Sequence, residues 1–96
     1  MRRKIKDITF RNNPKMREKL EKQIMITVGA NVRALRTLRN KTQGDLAEAC
    51  LAEQATISNI EAGKKGPSMA MLGTLSTVLD VPVAYLFMYH TDISKS

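Results

Sequence analysis

Apolar residues recur every three or four positions along the first third of the chain: Met16, Leu20, Ile24, Val28, Val32 and Leu35. That spacing lines one face of an α-helix. Asn13 and Pro14 mark its start, Asn13 as N-cap and Pro14 at the first helical position. The pattern fits one helix over residues 14–39, or two helices hinged near Thr27-Val28-Gly29. Asn40 suits a left-handed stop. Ahead of the helix, Ile5, Ile8 and Phe10 fit either a short strand at 5–10 or no fixed structure.

The next stretch, TQGDLAEACLAEQATISNIEAG at residues 42–63, carries two short apolar sets with no Gly or Pro between them. Thr42 is a good N-cap, and Asp45 three residues later resembles the acidic half of a capping box. Leu46, Ala47, Ala49 and Cys50 give the face of a second helix. Ala55, Ile57 and Ile60 give that of a third, which starts after Ala52 or Glu53 and stops at Gly63. After the basic turn Lys64-Lys65-Gly66-Pro67, Ser68 caps a fourth helix over 69–79, with Met69, Leu72, Leu75, Val78 and Leu79 inward. Val81-Pro82 breaks it. A last short helix at 82–88 offers Val83, Leu86 and Phe87.

The predicted fold class is therefore all-α, with five helices, the second and third short and closely joined. Two such helices crossing steeply at a compact turn make a helix-turn-helix. The first braces the second, and the second protrudes. A protruding helix about 10–12 Å wide fits a major groove about 12 Å wide.

Charge sharpens this picture. The chain has 96 residues and a formal net charge of +7. Residues 1–22 carry nine basic and three acidic side chains, a net +6, while the other 74 carry seven and six, a net +1. The expected organisation is a basic arm at 1–22, as an extra helix or an extension of the first, then a domain at 23–88 and a polar tail at 89–96. A basic arm suits a polyanion, above all nucleic acid. Arg2, Arg3, Lys4 and Lys6 are its candidate contacts.

Composition excludes several alternatives. Aromatics are 4% of residues and there is no Trp, so the core must be aliphatic. One cysteine excludes an intrachain disulfide, and Cys50 reads as a small buried hydrophobe. One histidine, His90, and scattered acids offer no metal site, no cofactor site and no acid–base pair, so no enzyme is expected. No apolar run nears the ~20 residues of a membrane span. The N-terminus lacks the apolar region of a signal peptide. A cytoplasmic protein is expected.

The order of residues from Val28 to Phe87 resembles the phage repressor and Cro-like family of helix-turn-helix regulators, also called XRE-type. The motif runs Leu35-Arg36, Thr42-Gln43, Leu46-Ala47, Thr56-Ile57-Ser58, Ile60-Glu61, Gly63 and Pro67-Ser68. The resemblance implies a lambda-repressor-like domain whose third helix enters the major groove. It implies base contacts from Gln54, Ala55, Thr56, Ser58 and Asn59, since Gln and Asn pair bidentately with adenine and Ala or Thr methyls touch thymine methyls. It implies phosphate contacts from Gln43, with Lys64, Lys65, Arg39 and Lys41 as further backbone candidates. Arg36 and Glu61 are implied to form a structural ion pair. Three positions depart from the family pattern. Leu51 stands where a left-handed Gly is usual, Lys41 replaces an apolar residue, and Glu53 replaces a Ser or Thr cap.

One recognition helix reads few base pairs, so a homodimer on a palindrome is expected. Tyr85, Leu86, Phe87, Met88 and Tyr89 form the first candidate interface, and the basic N-terminal helix the second. The expected function is a sequence-specific regulator of transcription. A repressor or autoregulator of a mobile element or restriction–modification system fits best. The alternative is an antitoxin-type protein that binds a partner protein first and DNA second. No small-molecule ligand is evident, so control is expected through concentration, a partner protein or competition at operators.

Overall fold

The computed structural model describes residues 13–90. Its elements are α1 (Pro14–Leu38), α2 (Gln43–Ala49), α3 (Gln54–Glu61), α4 (Met69–Leu79) and a 3-10 helix (Val83–Phe87). The fifth helix of the sequence pattern is thus a short 3-10 segment following Pro82. The arm residues Arg2, Arg3, Lys4 and Lys6, and the strand considered at 5–10, lie outside the described residues.

Helix α1 is a single rod. The Asn13 side chain accepts from the Met16 N–H at 3.1 Å and so caps its start. It passes Gly29 without a hinge. Gly29 has another use, because a Cβ there would overlap the Ile60 carbonyl oxygen. The missing side chain lets α3 lie directly on α1. The apolar ridge of α1 has two fates. Val28, Val32 and Leu35 are buried, but every residue from Pro14 to Ile24 is exposed. Met16, Leu20 and Ile24 therefore continue the core ridge beyond the body that covers it. The basic segment and the body share one helix, since α1 runs unbroken through residues 22 and 23.

The short helices start and stop by local chemistry. Thr42 Oγ1 accepts from the Asp45 N–H at 3.0 Å, and Asp45 Oδ2 accepts from the Thr42 N–H at 2.9 Å. This is a complete capping box. The bond from the Thr42 N–H, then the one involving its side chain, holds the Asp45 carboxyl below its ordinary pKa. After α2 the chain reverses at Leu51, at φ 55. Glu53 makes no side-chain cap bond to α3. Ser68 caps α4 by accepting from the Met71 N–H. Asp80, at φ 58, ends α4 ahead of the Val81-Pro82 break.

One aliphatic core joins all elements: Val28, Val32 and Leu35 meet Leu46 and Ala47, Ile57 and Ile60, Leu72, Leu75 and Leu79, and Leu86. Cys50 is buried beside them, and desolvation pushes its thiol pKa up. Several apolar positions fall outside this core. Ala49, Ala55, Met69, Val83 and Phe87 are exposed. Asn31 is buried instead. Its amide nitrogen donates to the carbonyls of Leu86 and Met88, both at 2.8 Å, and ties the 3-10 helix to α1.

Candidate nucleic-acid interface

Helices α2 and α3 meet through Leu46 and Ala47 on one side and Ile57 and Ile60 on the other. Burying Ile57 and Ile60 turns the opposite face of α3 to solvent. Gln54, Ala55 and Asn59 are exposed there, with Ser58 half-buried beside them. Gln54 leans back over the start of α2, its Oε1 lying 3.5 Å from where a Cβ on Gly44 would stand. Thr56 is also half-buried. It lines a cleft with Ile60, Lys65, Pro67 and Met71, on the flank of α3 rather than at its crest.

The end of α3 is pinned by a buried carboxylate. The Glu61 side chain is 3% exposed and accepts from three donors. Arg36 Nε donates to Oε2 at 2.6 Å, Arg36 Nη2 to Oε1 at 3.1 Å and Gln43 Nε2 to Oε1 at 3.0 Å. Arg36 Nη1 also donates to the Lys41 carbonyl at 2.8 Å. Hydrogen bonding to Glu61 raises the Arg36 pKa further, so the guanidinium stays charged. One cluster thus fixes α1, the turn after it, the start of α2 and the end of α3. Removing Arg36 costs about 3–5 kcal/mol, because the buried Glu61 carboxylate is left uncompensated.

The candidate backbone residues divide. Lys64 and Lys65 are exposed in the turn after α3, which Gly63 opens at φ 72. Lys41 is half-buried beside the start of α2. Gln43 has one amide hydrogen committed to Glu61, which leaves the second to donate outward. Arg39 has a role that its place in the sequence did not show. Its Nε and Nη2 both donate to the Leu79 carbonyl, at 3.0 and 2.8 Å, so its guanidinium caps the last turn of α4.

The candidate dimer residues divide as well. Leu86 is fully buried in the core and cannot line a surface. Tyr85 is half-buried, its ring stacked on His90 with centroids 3.8 Å apart. Phe87, Met88 and Tyr89 are exposed. Asn31, which sequence reasoning passed over, holds this segment in place. Its signal was an amide set among Val28, Val32 and Leu35 on the core-facing side of α1.

Among the described residues no three His, Cys, Asp or Glu side chains could hold a metal ion, and no helix is long and apolar enough to cross a membrane.

A short bracing helix, a second helix with a free polar face and a buried ionic cluster locking the two define a helix-turn-helix DNA-binding domain. Sequence comparison agrees: the helix-turn-helix family model matches residues 32–86. The chain belongs to this family, in its XRE-type branch, and is a DNA-binding regulator of transcription. No curated protein matches it. Solved structures do. The restriction-modification controller protein C.AhdI from Aeromonas hydrophila is 27% identical, with a TM-score of 0.63 over 66% of this chain and 96% of that one. The clp gene regulator ClgR from Corynebacterium glutamicum is 28% identical, with a TM-score of 0.63 over 66% of this chain and 67% of that one. PlcR from Bacillus thuringiensis, solved with the peptide PapR7 and DNA, is 29% identical, with a TM-score of 0.61 over 73% of this chain and 25% of that one.

Proposed function

We propose that this regulator binds a palindromic operator as a homodimer, with α3 of each copy in the major groove. The observation that carries the reading is the exposed face of Gln54, Ala55 and Asn59 on a helix pinned at Glu61. A reading helix must be held rigidly to discriminate bases, and the Arg36–Glu61–Gln43 cluster does that. Gln54 and Asn59 suit adenine edges, and the Ala55 methyl suits thymine. Ser58 and Thr56 flank them. Lys64, Lys65, Lys41 and the free amide hydrogen of Gln43 face phosphates. Phe87, Met88 and Tyr89, with the edge of Tyr85, meet a second copy. The role is that of a cytoplasmic repressor or autoregulator, in a restriction–modification system or mobile element. The likeness to a restriction-modification controller supports that role.

The test is binding of the protein to the DNA upstream of its own gene, at several salt concentrations, beside Gln54→Ala. The expected result is a palindromic site, with site preference lost in the variant while non-specific affinity stays. A good bidentate contact carries about 1–3 kcal/mol of discrimination, so preference should fall roughly 5- to 150-fold. An unchanged preference overturns the reading. The exposed ridge of Met16, Leu20 and Ile24 favours a second reading, in which a partner protein is the main ligand and DNA the lesser one. Weak, purely salt-driven DNA binding would bring that reading forward.

A further inference from the structure

The N-terminal part of α1 carries a second pattern, distinct from its apolar ridge. Lys15, Lys19 and Lys22 are spaced by four and three residues, so they stand on one side of the helix. All three are exposed. The next position on that side, four residues on, is Ile26. Ile26 abuts the turn after α3: a Cβ on Gly63 would lie 3.1 Å from Ile26 Cγ1. The neighbouring Met25 does the same at Gly66, with its Cγ 3.4 Å from a Cβ built there. Lys64 and Lys65 sit between these two glycines and are exposed. The lysine ridge of α1 therefore runs straight into the basic turn at the end of the recognition helix. Five lysines form one track that begins at α3 and leads away from the body.

The track is not neutralised by the fold. Glu18 borders it beside Lys22, and Glu21 lies on another side of the helix. The one ion pair among the described residues is Arg36–Glu61. Nor is the track part of the core, since residues 14–24 are all exposed. Its length suits a duplex. Lys15 to Lys22 spans about 10 Å at 1.5 Å per residue, and one DNA strand presents a phosphate about every 3.4 Å of axis. The ridge covers about three such steps.

We infer that Lys15, Lys19 and Lys22 of α1 form a phosphate-binding track for duplex DNA flanking the segment read by α3, continuous with Lys64 and Lys65. This rests on the DNA-binding reading above and extends the footprint of each copy outward. The contacts carry no sequence information. They raise affinity and its salt dependence and set where the duplex enters and leaves.

The experiment compares wild type with the triple variant Lys15→Gln/Lys19→Gln/Lys22→Gln on mixed-sequence duplexes of about 12 and about 32 bp, roughly one and three helical turns. Gln keeps helix propensity close to that of Lys, and the three sites are exposed, so the variant folds; circular dichroism checks it. The readout is the slope of log K against log NaCl. Each lost phosphate contact lowers the slope by about 0.9. On the long duplex the variant's slope should fall by up to about 2.7 per copy, and Arg at the three positions should restore it. On the short duplex, which lacks flanking phosphates, the slopes should agree. Equal slopes for both proteins on the long duplex overturn the inference while the DNA reading stands. A fall of the same size on both lengths also overturns it, because the lysines then act through net charge and not through flanking DNA. If wild type binds neither duplex at any salt, the DNA reading itself fails, and the track with it.

Discussion

Leu51 sits at φ 55 in the turn between α2 and α3 and is 95% exposed. A leucine there has the strain of the left-handed region, about 1–2 kcal/mol, and gains almost no burial in return. Leu51→Gly should therefore stabilise the domain by about 1 kcal/mol after the added chain entropy of Gly. For a domain of this size that raises Tm by about 4–8 °C; a thermal melt showing no rise would mean the leucine makes an unrecognised stabilising contact. Asp45 gives a pH-dependent counterpart. Its folded pKa is depressed by its bonds to Thr42, so its share of stability is whole above the ordinary carboxylate value near pH 4 and is lost as pH falls through the lower folded value. Amide protection at the start of α2, corrected for the intrinsic exchange rate at each pH, should fall over that acid range in the wild type, and Asp45→Asn should remove the dependence. Both residues were legible in the sequence, Leu51 as an ill-fitting turn residue and Asp45 as half of a box. Arg39 was not. Its acceptor, the Leu79 carbonyl, lies 40 residues away, and nothing in local pattern ties the two.

At the level of elements, helix existence followed from periodicity and from caps. Asn13, Thr42 and Ser68 each cap the helix they precede. Periodicity does not say what covers a ridge. Met16, Leu20 and Ile24 continue the register of Val28 and Val32, yet the body ends before it reaches them. Gly29 shows the same limit, since a glycine within a helical pattern reads as a hinge until a second helix is laid against it. The 3-10 helix is the least legible element. Its tighter turn places Leu86 inward and leaves Phe87 outside, and its anchor is an amide on another helix. That anchor gives a direct prediction. Asn31→Ala leaves the Leu86 and Met88 carbonyls without donors, at about 1–3 kcal/mol for each group so buried. The variant should lose about 2–3 kcal/mol in denaturant unfolding, and the amides of Val83–Phe87 should exchange faster while those of α2 and α3 are protected as before. A loss confined to α2 and α3 would contradict the assigned anchor.

The whole molecule divides its charge and its packing along one long helix. The C-terminal half of α1 supplies the core ridge and Arg36, and so sets the angle at which α3 is presented. The N-terminal half carries lysines on one side and an apolar ridge on another, and meets the turn after α3 through Met25 and Ile26. Exposed lysines line the N-terminal half of α1 and the turn after α3, apart from the polar face of Gln54, Ala55 and Asn59. This arrangement predicts that base preference and salt dependence can be altered separately, the first through Gln54 and Asn59, the second through the lysines.

The most direct measurement is selection of bound sites from a pool of random duplex DNA, run in parallel for wild type and the double variant Gln54→Ala/Asn59→Ala. Wild type should enrich a palindrome with half-sites about 34 Å apart, one turn of DNA. The variant, folded and still bound to DNA at low salt, should enrich no such sequence. The same palindrome recovered with both proteins would contradict the assignment of α3 as the reading helix. No enriched sequence with wild type would contradict sequence-specific binding altogether.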